Sequence, residues 1–233
     1  MTIAVIIPVF NEQEFLPRLL ANLLPMGFDD IIVVDGGSDD GTLDSARPFL
    51  EYQSTGRLQL VSSARGRAIQ MNEGAKKTCA DIFVFLHADT DLPHHASHCV
   101  RQAMAADSSC VGGRFDVRFP NDHGWAWVIS RMMNLRSRWT GICTGDQAIF
   151  VRRRLFEQLG GFAEIPLMED IEFTTRLKKV GPVVALRETV TTSFRRWEQG
   201  GPLRTILRMW TLRLLYWLGW DPKTLQKFYD AVR

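Results

Sequence analysis

Apolar residues run unbroken from Ile3 through Ala4, Val5 and Ile6 to Ile7, then give way to the turn Pro8-Val9-Phe10-Asn11-Glu12. Further on the same pattern returns as Ile31-Ile32-Val33-Val34 running into Asp35-Gly36-Gly37-Ser38. Continuous apolar runs of this length suit strands buried on both faces of a parallel sheet. Between them Leu16, Leu19, Leu20, Leu23 and Leu24 recur at helical spacing, with Asn11 as candidate cap and Pro17 close to the start. A helix from about Thr42, a strand over 58–61, a helix over about 66–79 and a strand over 82–86 follow. Strand and helix thus alternate through the first part of the chain, which predicts parallel strands joined by right-handed crossovers.

After Pro93 the pattern loosens. A β-like stretch at 111–119 precedes a tryptophan-bearing helix near 125–136, a strand-like segment at 147–151, helices on either side of Gly160-Gly161, and a basic, aromatic segment from Arg195. Neither an internal repeat nor a low-complexity linker interrupts the chain. The expected architecture is therefore α/β, a mostly parallel central sheet flanked by helices, with one domain over 1–194 and an appendage over 195–233.

Composition changes this picture little. A chain of 233 residues with 45% hydrophobic residues can build a real core. The formal charge of +2 argues neither for nor against nucleic acid, and no nucleic-acid partner is expected. Cys79, Cys99, Cys110 and Cys143 form no CxxC pair, so they read as reduced thiols of a cytoplasmic protein rather than a disulfide or zinc framework. No leader and no spanning helix is expected, because no apolar run reaches about 18 residues without a charge.

Acidic turns at the carboxyl ends of parallel strands form a ligand crevice. A dinucleotide site would show GxGxxG after the first strand and a P-loop would show GxxxxGK[ST]; neither is present. Instead the chain carries Pro8-Val9-Phe10-Asn11-Glu12, Val33-Val34-Asp35-Gly36-Gly37-Ser38-Asp39-Asp40-Gly41-Thr42, Gly66-Arg67 with Asn72-Glu73-Gly74-Ala75, Phe85-Leu86-His87-Ala88-Asp89-Thr90, and Gly160-Gly161-Phe162 with Glu169-Asp170. In order and spacing these motifs resemble the family 2 inverting glycosyltransferases, which have the GT-A nucleotide-sugar fold. The resemblance covers about residues 3–180. Arg65-Gly66-Arg67 with Gln70-Met71-Asn72, the stretch ending in His87-Ala88-Asp89-Thr90, and Arg195-Arg196-Trp197 further resemble a bacterial subgroup named for its association with radical-SAM and selenodomain proteins.

The resemblance implies a nucleotide-sugar donor and a divalent ion, Mn²⁺ or Mg²⁺, that takes up charge on the departing diphosphate. The family's Asp-x-Asp motif stands here as His87-Ala88-Asp89, so Asp89 matches and His87 departs. Imidazole favours Mn²⁺ over Mg²⁺, so His87 either changes the metal preference or leaves Asp89 as the sole direct ligand. Asp35 is implied to bind the base, with Gly36 where many relatives carry a second acid. Asp39 or Asp40 would serve the ribose or cap the helix at Thr42. Pro8, Phe10, Glu12, Gly37, Ala88 and Arg67 would line the donor, and Arg195 and Arg196 would meet its diphosphate. Asp170 is implied as the base that takes the acceptor's proton, with Glu169 as its neighbour and Asp146 in reserve.

Plainer accounts compete at each position. Asp89 can cap a turn, Arg67 can be a surface arginine, and two acids suit a helix amino terminus without catalysis. His87, Asp89, Asp91, His94, His95 and His98 crowd together, and His94 and His98 lie four apart, but no glutamate follows the HExxH pattern, so solvated histidines are favoured over zinc. The run 203–218 fits burial on the domain, a membrane interface or a partner helix. An inactive nucleotide-sugar-binding or membrane scaffold is the rival from another class. A nucleotidyltransferase would need a lysine-bearing glycine-rich loop that the chain lacks.

Overall fold

Along β1 (Ile3–Val9) every side chain but Pro8 is buried, and the strand divides by parity. Ile3, Val5, Ile7 and Val9 join one apolar cluster, while Ala4 and Ile6 join another on the opposite face. β2 (Asp30–Asp35) does the same, sending Ile31 and Val33 to the first cluster and Ile32 and Val34 to the second. A strand buried on both faces needs helices on both sides. The computed structural model, which describes residues 1–51 and 57–230, supplies them.

On the first face lie α1 (Leu16–Leu23), through Leu16, Leu19, Leu20 and Leu23, then α2 (Thr42–Ala46) through Ala46. The opposite face receives α3 (Arg67–Ala75), through Ala68, Met71 and Ala75. Burial of each such leucine or isoleucine stabilises the fold by roughly 1.5–3 kcal/mol before entropy is counted. Asn11 does not cap α1. It sits at φ 55° and exchanges hydrogen bonds with Asp39, while the helix begins only after Phe15, whose N–H donates to Glu12 O.

β3 (Arg57–Ser62) pairs with β2, and β2 and β4 (Ile82–Phe85) flank β1, all parallel. The winding direction therefore reverses between β1 and β4, which is where open sheets place their ligands. The rest of the chain is β5 (Thr90–Asp91), α4 (Ala96–Ala106), β6 (Gly112–Arg118), α5 (Trp125–Thr140), β7 (Phe150–Arg152), α6 (Arg153–Gln158), α7 (Glu169–Val180), β8 (Val183–Thr192), α8 (Arg195–Gly200), α9 (Pro202–Trp217) and α10 (Pro222–Asp230). The sheet order is β3-β2-β1-β4-β7-β6-β8-β5. Antiparallel pairing enters at β7 and β5, so the sheet is mixed beyond its parallel half. Two segments depart from the sequence expectation. β8 is a full strand where none is predicted, and 145–147 is a short helical turn rather than the start of a strand.

The tail docks by part of its surface. Leu212 and Leu225 pack with Ile142, Met168 and Ile171, and Phe194, Trp197 and Ile206 pack on Phe119, Ala126 and Ile129. Trp210, Leu214 and Trp217 face outward, because the helix presents Thr205 and Leu212 to the body instead. Residues 231–233 of the 195–233 segment lie outside the described residues.

Candidate active site

The carboxyl end of β2 delivers Asp35, which is buried. Its carboxylate accepts the N–H groups of Gly37 (3.0 Å) and Ser38 (3.1 Å) as well as the Ser38 hydroxyl, so the turn that follows the strand is folded around the acid. Gln70 of α3 donates to Val9 O (2.7 Å) and Val34 O (2.8 Å), stitching the ends of β1 and β2 together. That stitch explains Gly36. A Cβ there would lie 3.1 Å from the Gln70 amide carbon, so the second acid of the resemblance would have to push the Gln70 amide aside. Arg65 lies over the Phe10 ring at 3.9 Å from its centre, a cation–π pair just past the end of β1.

Other predicted donor residues have structural duties as well. The Glu12 N–H donates to Thr42 Oγ1 at 2.9 Å. Asp39 bonds Asn11, and Asp40 accepts from the Thr42 and Gln13 N–H groups; the Thr42 hydroxyl, more than any other partner, lowers its pKa. Pro8 is half-buried within β1, Ala88 is buried and Gly37 is exposed at φ 86°.

The loop after β4 carries His87, Ala88 and Asp89. His87 Nδ1 lies 3.3 Å from Asp146 Oδ1, and its Nε2 would be 2.5 Å from a Cβ at position 145. Gly145 is thus required by the imidazole packed on it. His87 therefore has Nδ1 on Asp146 and its imidazole packed on Gly145. Burial opposes ionisation of Asp146, but the hydrogen bond and charge of His87, with Arg196 and Arg67 beyond, hold its carboxyl well below the usual range. Asp89 is half-buried, and among the described residues its carboxylate is approached by the Thr90 hydroxyl at 3.5 Å and by no closer side-chain donor. A carboxylate so lightly held is a suitable oxygen donor for Mg²⁺ or Mn²⁺, and the residues fit such an ion at Asp89.

Across from these ends, α7 begins at Glu169 after Met168 in the left-handed region (φ 70°). Glu169 is buried and lies 3.4 Å from Arg67 Nη1, so the amino termini of α3 and α7 are joined by an ion pair. Burial raises the Glu169 pKa despite Arg67, and Asp170 adds to the rise. Asp170 accepts the Gly145 N–H (2.8 Å) at Oδ2 and the Ile171 N–H (2.7 Å) at Oδ1.

A cavity of about 600 Å³ opens beside this cluster, between α5, α8 and α9. Asp89, Asp146, Arg195 and Arg196 share its wall, with Met132, Trp139, Met209 and Trp210 supplying apolar surface. Asp170 and Glu169 do not line it; they stand behind the turn at Gly145. Arg195 lies over the Phe15 ring and Arg196 over that of Tyr229. Arg136 and Arg213 also line the cavity and were not singled out from the sequence. Nε and Nη2 of Arg136 and Nε of Arg213 are buried without a hydrogen-bond partner. Burial, then repulsion from Arg213, brings the Arg136 pKa down to about 10. Their signal was available: α5 and α9 contain no acid, so a buried arginine there has no partner on its own helix. Among the described residues, the group with metal-ligand spacing is His95, Cys99 and Glu188, with donor atoms within 4.8 Å of one another, and not His94 with His98.

The sequence model of glycosyl transferase family 2 matches residues 4–160. The chain belongs to this family. It is 26% identical over 190 residues to the glycosyltransferase AglE of Haloferax volcanii, covering 77% of this chain and 62% of that protein. Over 219 residues it is 24% identical to the probable glycosyltransferase YdaM of Bacillus subtilis, covering 84% of this chain and half of that protein. With a PGL/p-HBAD biosynthesis glycosyltransferase of Mycobacterium bovis it shares 30% identity over 181 residues, 74% of this chain and 68% of the relative. The chain thus spans between half and about two thirds of these relatives' lengths. Among solved structures, the mannosyltransferase PcManGT of Pyrobaculum calidifontis, in complex with GDP-Man and Mn²⁺, superposes with TM-score 0.68 at 22% identity, over 91% of this chain and 60% of that one. S. aureus TarS in complex with UDP superposes with TM-score 0.64 at 17% identity, over 83% and 60%. The fold is GT-A.

Proposed function

We propose that this chain is an inverting glycosyltransferase that moves a sugar from a nucleotide-sugar donor, a UDP-sugar, to a hydroxyl acceptor with the help of Mn²⁺ or Mg²⁺. The observation that carries the proposal is that Asp35 ends β2 and Asp89 follows β4, the two strands that flank β1, so both acids stand at carboxyl ends of parallel strands where the sheet's winding reverses. The complexes of TarS with UDP and UDP-GlcNAc, and of PcManGT with GDP-Man and Mn²⁺, support it by fold. Membership of the radical-SAM and selenodomain-associated subgroup, and a cytoplasmic location, belong to the same proposal and rest on the sequence motifs and free cysteines.

In this reading Asp35 accepts an N–H from the pyrimidine, and Phe10 with Arg65 walls the base. Asp89 would hold the ion, whose charge would offset that developing on the diphosphate. Arg195 and Arg196 bind phosphate oxygens. His87 pairs with Asp146 through Nδ1, and its other nitrogen is the candidate second ligand beside Asp89. Asp170 takes the acceptor's proton through the lone pairs its two backbone hydrogen bonds leave open, and Glu169 with Arg67 fixes the start of α7. One observation favours a second assignment of the base: Asp146 faces the cavity and Asp170 does not.

Calorimetry of UDP with Mn²⁺ and with chelator tests the donor half. Tighter binding with the ion is expected, and Asp89→Ala should abolish the difference; equal affinity in both conditions for the unaltered chain removes the metal from the proposal. For the chemical half, Asp170→Asn should keep UDP affinity and lose transfer or donor hydrolysis by about 10²–10⁴-fold. Near-normal turnover in Asp170→Asn, with loss in Asp146→Asn, moves the base to Asp146.

A further inference from the structure

Six of the seven tryptophans are exposed, and all six lie on α5 or within 210–220. On α9, Leu203, Leu207, Trp210, Leu214 and Trp217 recur every three or four residues and are each 58–68% exposed. Trp125, Met132, Leu135 and Trp139 form a corresponding stripe on α5, with Trp139 80% exposed. Both helices border the same cavity, so the two stripes flank one mouth. Isolated exposed apolar residues need no explanation, whereas a contiguous patch of this kind marks an interaction surface.

Charge identifies the partner. Arg131 on α5 and Arg204 on α9 are exposed, and neither helix carries an aspartate or glutamate, although the whole chain has a formal charge of only +2; Arg136 and Arg213 turn inward to the cavity and Arg138 pairs with Asp116. A second copy brought against this face would set arginines against arginines, because a two-fold interface opposes a patch to itself. Tryptophan, leucine and arginine without acids is the composition of a surface that lies in the headgroup region of an anionic bilayer. No helix among the described residues is long and apolar enough to cross a membrane, so the contact is peripheral.

We propose that the outer faces of α5 and α9 dock flat on an anionic phospholipid bilayer, with the mouth of the cavity opening at the lipid surface. Given the proposed glycosyl transfer, an acceptor would then enter from the bilayer side rather than from bulk water. The docking itself does not depend on that reading.

Flotation of the full chain with vesicles of phosphatidylcholine, alone and mixed with phosphatidylglycerol, tests it. Binding to the mixed vesicles at low salt is expected, weakening at high salt and falling roughly tenfold or more in Arg131→Ala with Arg204→Ala, since each basic residue contributes about 1 kcal/mol near an anionic surface. Leu207→Glu with Leu214→Glu should also lose the vesicles, while unchanged thermal unfolding shows that the variant is folded. Absence of flotation with mixed vesicles at low salt overturns the proposal, as does flotation undiminished in the folded leucine variant. A stable dimer in sedimentation that the leucine variant dissociates would assign the face to a second copy instead. UDP affinity on the same samples keeps the readings separate: vesicle binding without UDP binding leaves the docking and removes the donor.

Discussion

Glu169 illustrates how a single buried acid reports on its surroundings. Its folded-state pKa is raised above the usual 4.5, because burial outweighs the nearby Arg67. Such a group contributes stability that is full below about pH 4.5 and is lost as pH rises through the folded-state value. Glu169→Gln, which stays neutral, should therefore match the wild type in acid and become the more stable chain as pH climbs towards 7. Thermal unfolding from pH 4 to 8 checks this; a variant less stable at pH 7 would mean that the Arg67 pair dominates. Asp35, Asp89 and Asp170 were legible as residues because an acid just past a predicted strand or opening a predicted helix declares its place. The partner of His87 was not. Asp146 is brought there from another part of the chain by the Gly145 turn, so the broken Asp-x-Asp could be seen but not its structural use.

At the level of elements, two of the motifs that carried the family resemblance prove to be joints. The Asn72 side chain donates to Phe162 O and accepts the Phe162 N–H, both at 2.9 Å, which ties α3 to the loop between α6 and α7. Asn72→Ala should therefore cost about 1–3 kcal/mol, by stranding two buried backbone groups, and leave UDP affinity unchanged. Denaturant unfolding beside calorimetry decides it: loss of nucleotide affinity at unchanged stability would make Asn72 a ligand contact. β1, β2 and β4 could be read from the sequence because strands buried on both faces are continuous apolar runs. β8 could not: it carries an exposed Arg187 and a half-buried Glu188 among mostly half-buried side chains, and it is made a strand by parallel pairing with β6, a contact no local pattern announces. Asn11 failed as a cap for a related reason, since its amide is taken up by Asp39 from the neighbouring strand's turn.

For the whole molecule the open question is whether the tail is an attachment or part of the fold. Composition alone left burial, membrane and partner as alternatives, because a helix with apolar residues around most of its circumference does not say which side faces the body. Packing distributes the roles by side of the helix. Leu212 and Leu225 cover Ile142, Met168 and Ile171, and α7, which holds Glu169 and Asp170, begins directly after Met168. A chain ending before Pro202 would uncover this cluster and lose α9 from the cavity wall. With roughly 1.5–3 kcal/mol per large apolar side chain, the expected loss is several kcal/mol, which for a chain of this size lowers the melting temperature by about 10 °C or more. The leucine variant described above alters only the outer face and should melt with the wild type, so the inner and outer sides of one helix are separable by experiment. If the shortened chain instead melts within a few degrees of the full one, the tail adds little to the body, and the positions of Glu169 and Asp170 must be set by Arg67 and Gly145 alone.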